Sequence, residues 1–208
     1  MRILVFLCAM TVATASAAAD LTVVVRTGAG RPVADAVVSL YPAAGTPPAS
    51  QVHFDWPMRM VQQHLQFSPF VLIAPVGASV AFPNLDAVRH HVYSFSASHP
   101  FELKLYGRDE TRTVRFDHLG VVALGCNIHD QMIAFIKVVD TPYAAKTGAN
   151  GEVVLRDVPT GAATMRVWHP YMKSPANEVT RTVTVAHGGA REGVSVEVRN
   201  PPERTGGY

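Results

Sequence analysis

The chain has 208 residues, enough for one or two domains with a real core. Hydrophobic residues make up 48% and charged ones 16%, a globular composition that excludes a disordered or collagen-like chain. A formal net charge of +2 is too balanced for a nucleic-acid binder that relies on phosphate contacts.

In chain order, residues 1–19 read as a signal peptide. Arg2 supplies the positive end, Ile3 to Val12 a short apolar run, and Ala17-Ala18-Ala19 before Asp20 an A-x-A cleavage site. The run is too short to span a bilayer. Cys8 follows Leu7, not the small residue that a lipoprotein site wants, so no membrane anchor is expected. Removal of this segment leaves Cys126 as the single cysteine of an exported, periplasmic chain. An odd cysteine in an oxidising compartment is a reactive thiol, an intermolecular bridge or a metal ligand.

From Asp20 onward the text reads as short strands between turns. "LTVVVRTGAGRPVADAVVSLYP" gives two β-branched runs around a Gly-rich turn. Its GAG is no dinucleotide fingerprint, since Val33 stands where the third Gly belongs and no helix pattern follows. The one candidate helical turn is "MRMVQQHLQ". "FSPFVLIAPVGASVAFPN" gives two strands broken at Pro75 and Gly77, and "FELKLY", which resembles a stretch of plastocyanin-like proteins, is expected to be a further strand with Tyr106 packing nearby. "TRTVRFDHLGVVALGC" and "MIAFIKVVD" flank the cysteine, followed by "EVVLRDV", "ATMRVWHP", "VTRTVTV" and "GVSVEVRN". Asn150-Gly151 marks a hairpin turn, and Trp168 a core anchor of the outer sandwich that the two ends of the chain would form. Many short strands with regular turn signals argue for β-sandwiches.

The two ends of the chain read as halves of one unit. The G-x-P-V-x-D-A of the first stretch and the D-V-P-x-G of "TGANGEVVLRDVPTGAATMRVWHPYM" resemble a carboxypeptidase regulatory-like (transthyretin-like) sandwich. In that family a short loop joins the pieces, whereas here a long segment separates them. The resemblance implies a discontinuous sandwich of residues 20–49 and 140–200, with a second domain at 50–139 inserted at a loop tip, where insertions are best tolerated. Two sandwiches in tandem are the alternative. Residues 201–208 are expected to be a disordered tail.

"LGCNIHDQM" sets Cys126, His129 and Met132 at spacings of three. Haem attachment needs C-x-x-C-H, and a structural zinc site wants four Cys/His ligands, which one cysteine does not supply. A thiol paired with a histidine could be a nucleophile. A thiolate, an imidazole and a thioether on one tight loop suit copper better. "FPNLDAVRHHVYSF" offers a histidine from another strand. Together the two segments, within about Phe70 to Val139, resemble the cupredoxins, the blue-copper family, and the C-x-x-H-x-x-M loop is similar to that of amicyanin. The full layout also resembles proteins labelled methylamine utilization proteins.

The cupredoxin resemblance implies His90, Cys126, His129 and Met132 as ligands of one type 1 copper ion. It also selects His90 over His91, with His91 in the place usually held by Asn and free to bond across to the Cys126 loop. In place of the aromatic residue often found before the cysteine stand Leu124 and Gly125. His53, His64, His99, His118, His169 and His187 lack ligand spacing and are expected at the surface or in turns.

The expected fold is all-β, a cupredoxin Greek-key sandwich plus a transthyretin-like sandwich. The expected function is that of a periplasmic one-electron carrier, monomeric and not an enzyme, working with a redox protein such as a c-type cytochrome or a periplasmic dehydrogenase. A copper-handling or sensing module without redox turnover is the alternative, and an empty scaffold on a structural protein a third reading.

Overall fold

The computed structural model describes residues 17–200. The expected signal peptide up to residue 16 and the expected tail at 201–208 lie outside the described residues. The chain is all-β. Its strands are β1 (Ala18–Thr27), β2 (Val37–Pro42), β3 (Val61–Gln63), β4 (Gln66–Ser68), β5 (Val71–Pro75), β6 (Ala78–Pro83), β7 (His90–Ser94) and β8 (Phe101–Tyr106). There follow β9 (Thr111–Phe116), β10 (Gly120–Cys126), β11 (Ile133–Val139), β12 (Ala144–Lys146), β13 (Glu152–Pro159), β14 (Gly161–Trp168), β15 (Glu178–Val185) and β16 (Ala190–Val196). Among the described residues no helix is long and apolar enough to cross a membrane.

Three apolar clusters order the sheets. The first lies between the sheet β13-β1-β16 and the sheet β12-β2-β14-β15, and takes Leu21, Val23 and Val25 from one and Leu40, Met165 and Val167 from the other. The second lies under the five-stranded sheet β5-β11-β10-β7-β8, where Val122, Leu124, Cys126 and Ile136 meet Phe67, Val80, Phe82 and Phe116 from the hairpin β3-β4 and the antiparallel pair β6-β9. The third joins the two assemblies. Val71 and Ile73 of β5 and Val139 of β11 meet Val37 of β2 and Trp168 of β14.

Strand period explains this stacking. Alternate residues of a strand face opposite sides, so in β5 Leu72 and Ala74 enter the second cluster while Val71 and Ile73 enter the third. A strand covered on both faces reads as an unbroken apolar run, as "VLIAP" does. β5 and β11 run parallel, consistent with that burial.

Four sequence expectations change. "MRMVQQHLQ" forms no helical turn. Met60 and Gln62 are buried at strand spacing, Phe67 is buried opposite Gln62, and His64 and Leu65, with φ of 57° and 55°, close the β3–β4 hairpin. Trp168 is 2% exposed but sits in the cluster joining the two assemblies, 6.0 Å from the Phe135 ring, not inside the outer sandwich. Burying an apolar side chain of this kind contributes roughly 1.5–3 kcal/mol or more, so the joint is a packed one. His169 is 7% exposed and so not a surface residue, but it does open a turn, its carbonyl accepting the Met172 N–H at 3.0 Å. Asn150-Gly151 does turn the chain, but between β12 and β13, which belong to different sheets, and only Gly151 takes a positive φ, of 76°.

Candidate metal centre

The loop from Asn84 to His90 is built to present one imidazole. Asn84 is fully buried, and its Nδ2 donates to the carbonyls of Val88 at 2.9 Å and Tyr106 at 3.1 Å while its Oδ1 accepts the Asp86 N–H at 2.9 Å. With its side chain thus spent on backbone groups, the loop needs no regular ladder. Asp86 then faces the start of β7. Its Oδ2 accepts from His90 Nε2 at 2.8 Å and from the Leu65 N–H at 3.1 Å, and its Oδ1 from the His64 N–H at 2.6 Å. The two amides come from the turn of the β3–β4 hairpin.

His90 opens β7 and is 0% exposed. On β7 the face His90–Val92–Ser94 is buried and the face His91–Tyr93 is not, so the less apolar of the two faces is the inner one. A register shift against β8 lies between His90 and Val92, and it turns Tyr106, the cross-strand partner of His90, into the core. The His91 side chain leaves the Cys126 loop alone. Its Nε2 lies 2.8 Å from Glu102 Oε1, at ion-pair distance without the angle of a hydrogen bond. The tie to the cysteine loop is made by the backbone instead, with the Asn127 N–H donating to the His91 carbonyl at 3.1 Å.

Cys126 ends β10 and is 3% exposed. The chain turns immediately, and the Met132 N–H donates to the His129 carbonyl at 3.0 Å as β11 begins. The turn brings the half-buried His129 back over the thiol. Cys126 Sγ lies 3.8 Å from His90 Nδ1 and 3.6 Å from His129 Nδ1. The three ligand atoms all lie within 4.8 Å of one another. Met132 is 1% exposed and packs in the same cluster as Cys126.

The donor set fits a metal ion. A sulfur and a nitrogen bound to one ion at about 2.3 and 2.0 Å, with an angle of about 110–120°, stand roughly 3.5–3.7 Å apart, close to the distances seen here. The three donor atoms thus stand at separations that a shared cation would impose. The carboxylate on His90 Nε2 fixes the proton there and leaves the Nδ1 lone pair facing the sulfur, as the outer partner of a ligating histidine does. Burial is the largest influence on His90 and draws its pKa below the usual histidine value; Asp86 pulls upward and His129 downward. The ring is therefore neutral at neutral pH, as a ligand must be. Burial alone would raise the Asp86 carboxyl, but hydrogen bonds from His90 and the two amides outweigh it and hold it below the usual range.

Two features of the surroundings were not read from the sequence. Asp86 stands four residues before His90, and its role needs the hairpin turn that only the fold supplies. Gly125 is the cross-strand partner of Tyr93, and a Cβ on Gly125 would lie 2.7 Å from Tyr93 Cζ. The phenol ring thus occupies the place of a side chain beside the cysteine, and it touches Phe95, which is 86% exposed, at 4.9 Å between ring centres.

No family model and no curated protein matches the chain. Solved structures similar to it include a reduced Cu(I) form at pH 4 of an amicyanin mutant, 18% identical, covering 49% of this chain and 98% of that one with a TM-score of 0.37. A second amicyanin mutant, in the oxidised state, is 19% identical over 49% of this chain and 98% of that one, with a TM-score of 0.37. A Cu-containing nitrite reductase from Thermus scotoductus SA-01 is 24% identical, with 56% of this chain and 28% of that one covered and a TM-score of 0.38.

Proposed function

We propose that the chain is an exported, cupredoxin-like type 1 copper protein that carries one electron at a time between protein partners such as a c-type cytochrome and a periplasmic dehydrogenase. The observation that carries this reading is the convergence of His90 Nδ1 and His129 Nδ1 on Cys126 Sγ at 3.8 and 3.6 Å. Two imidazoles and a thiolate with a weak axial thioether are the ligand set that selects copper for electron transfer. Copper bound there would supply a one-electron couple.

The residues themselves account for the rest. Asp86 and the hairpin turn hold His90 in one orientation in either redox state. The short turn from Cys126 to Met132 presets the other donors, with Met132 as the fourth and weakest. Rigid donors keep the rearrangement on electron transfer small. Four protein donors leave no open position for a substrate, which supports a carrier and not an enzyme. The half-buried His129 is the donor nearest to solvent, among exposed neighbours such as Ile128, 48% exposed.

The test is addition of Cu(II) to the purified mature chain. One equivalent should give an intense thiolate-to-copper absorption band and a reversible one-electron wave in voltammetry, and Cys126→Ser should abolish the band. A band that survives Cys126→Ser sinks the type 1 reading. Tight Cu(I) binding without a stable Cu(II) form would assign copper handling instead.

A further inference from the structure

Away from the candidate metal centre, a cleft of about 370 Å³ opens along the outer edge of β5. This size lies within the range of small-molecule sites, roughly 300–1,000 Å³. β5 is the edge strand of its sheet. Val71 and Ile73 line the cleft with Pro69 and Trp56. Trp56 is fixed on two sides: its indole N–H donates to the Ile73 carbonyl at 2.8 Å, and Phe54 stacks on it at 4.4 Å with the planes 11° apart. With its one donor satisfied, the indole offers the cleft only an apolar surface. This wall exists before any ligand arrives.

Two cations border this apolar space. Lys146, from β12, is neutralised by Asp35 at 2.7 Å. Arg59 is exposed and makes no ion pair among the described residues. The cleft therefore has an apolar body and one uncompensated positive charge at its side. We propose that it is a binding site for a small aromatic anion, with a flat apolar body lying against Trp56, Val61 and Pro69 and a carboxylate or sulfonate on the Arg59 guanidinium. A guanidinium presents paired donors that match such an oxyanion. A neutral ligand would leave this charge unused, and a peptide strand along β5 would have to displace the Trp56 indole from the Ile73 carbonyl.

The test uses 8-anilinonaphthalene-1-sulfonate as the probe on the whole mature chain. One equivalent should bind saturably, read from the rise in the probe's own emission. Arg59→Gln, a change at an exposed side chain, should weaken binding about tenfold, the scale of losing a charge-assisted hydrogen bond. The uncharged N-phenyl-1-naphthylamine should bind about tenfold more weakly than the sulfonate and equally to both forms. Unchanged sulfonate affinity in Arg59→Gln, equal affinity for the uncharged probe, or non-saturating uptake of several equivalents each overturns the proposal. The same titration on Cys126→Ser should give the wild-type affinity, so this result and that for copper stand or fall separately.

Discussion

Asp86→Asn isolates what the carboxylate does for His90. The substitution keeps the shape and removes the charge, and it turns one acceptor atom into a donor. Wild-type Asp86 accepts three N–H groups, at 2.8 Å from His90, 3.1 Å from Leu65 and 2.6 Å from His64. In the less costly rotamer the amide oxygen keeps the His90 and Leu65 bonds. The amide NH₂ then faces the His64 N–H, which lies near the surface and can turn to water. Each retained bond loses its charge assistance, about 1 kcal/mol, and the lost bond costs about 1 kcal/mol more. The sum is a destabilisation of about 3 kcal/mol in the metal-free protein, read from urea midpoints. Copper affinity should fall about 10–100-fold, the usual effect of losing the outer partner of a ligating histidine, read by competition with a chelator. The reduction potential should rise, since a negative charge that favours the oxidised site is gone. Copper affinity within twofold of wild type would refute the claim that Asp86 orients His90.

His90→Gly should abolish the coloured site while His91→Gly keeps it, because only His90 shares the buried face with Val92; the opposite pattern in absorption spectra would move the ligand to His91. Met132→Leu should retain copper and shift the reduction potential in voltammetry, as a weak axial donor would, and complete loss of copper would show Met132 to be an equatorial ligand or a folding residue. Gly125→Ala places a Cβ 2.7 Å from Tyr93 Cζ and should destabilise by about 1–3 kcal/mol. Most of that cost should vanish in a Tyr93→Ala background, and an equal cost in both would refute the contact. Burial lowers the His169 pKa against a smaller upward pull from Asp35, and His169 Nδ1 accepts the Tyr171 N–H at 3.2 Å, which a protonated ring could not do. The folded pKa lies below the unfolded one, so the stability this neutral ring contributes should be complete above about pH 6.5 and fall as pH drops below it towards the folded pKa. Urea midpoints of the metal-free protein at pH 8 and pH 5 should show a smaller difference in His169→Gln than in wild type.

Strands with alternating or unbroken apolar runs were legible in the sequence because burial and period act within each strand. Thus "VLIAP" and "IAFIKVV" became strands, and the spacing of Cys126, His129 and Met132 was visible because one turn holds them. What lay outside the sequence was whatever depends on contact between distant segments. Trp168 looked like an ordinary core anchor, since nothing local says that β5 and β11 would cover it. "MRMVQQHLQ" misled because two positive φ values in a row, at His64 and Leu65, are costly for non-glycine residues. The hydrogen bonds from these two residues to Asp86 offset that cost, and Asp86 is more than twenty residues away in sequence. His91 was misassigned for a similar reason: its partner Glu102 lies on the neighbouring strand.

The candidate site is thus framed from both sides of one sheet. On the inner side the hairpin turn holds Asp86, Asp86 holds His90, and His90 faces Cys126. On the outer side Phe135 and Val139 of β11 pack with Trp168 and Val37, although Ala134, Ile136 and Val138 of the same strand belong to the inner core. β11 is also the strand that receives the turn from Cys126 through His129 to Met132, and it is hydrogen-bonded to β10 from Gly120 to Gly125. A strand gripped on both faces and along both edges moves little, so the turn it anchors has one end fixed by β10 and the other by β11. The C-terminal strands therefore contribute to the geometry of the cysteine turn through β11. This offers a physical reason for joining the two assemblies through a packed apolar seam, where a loose tether would have left β11 half exposed.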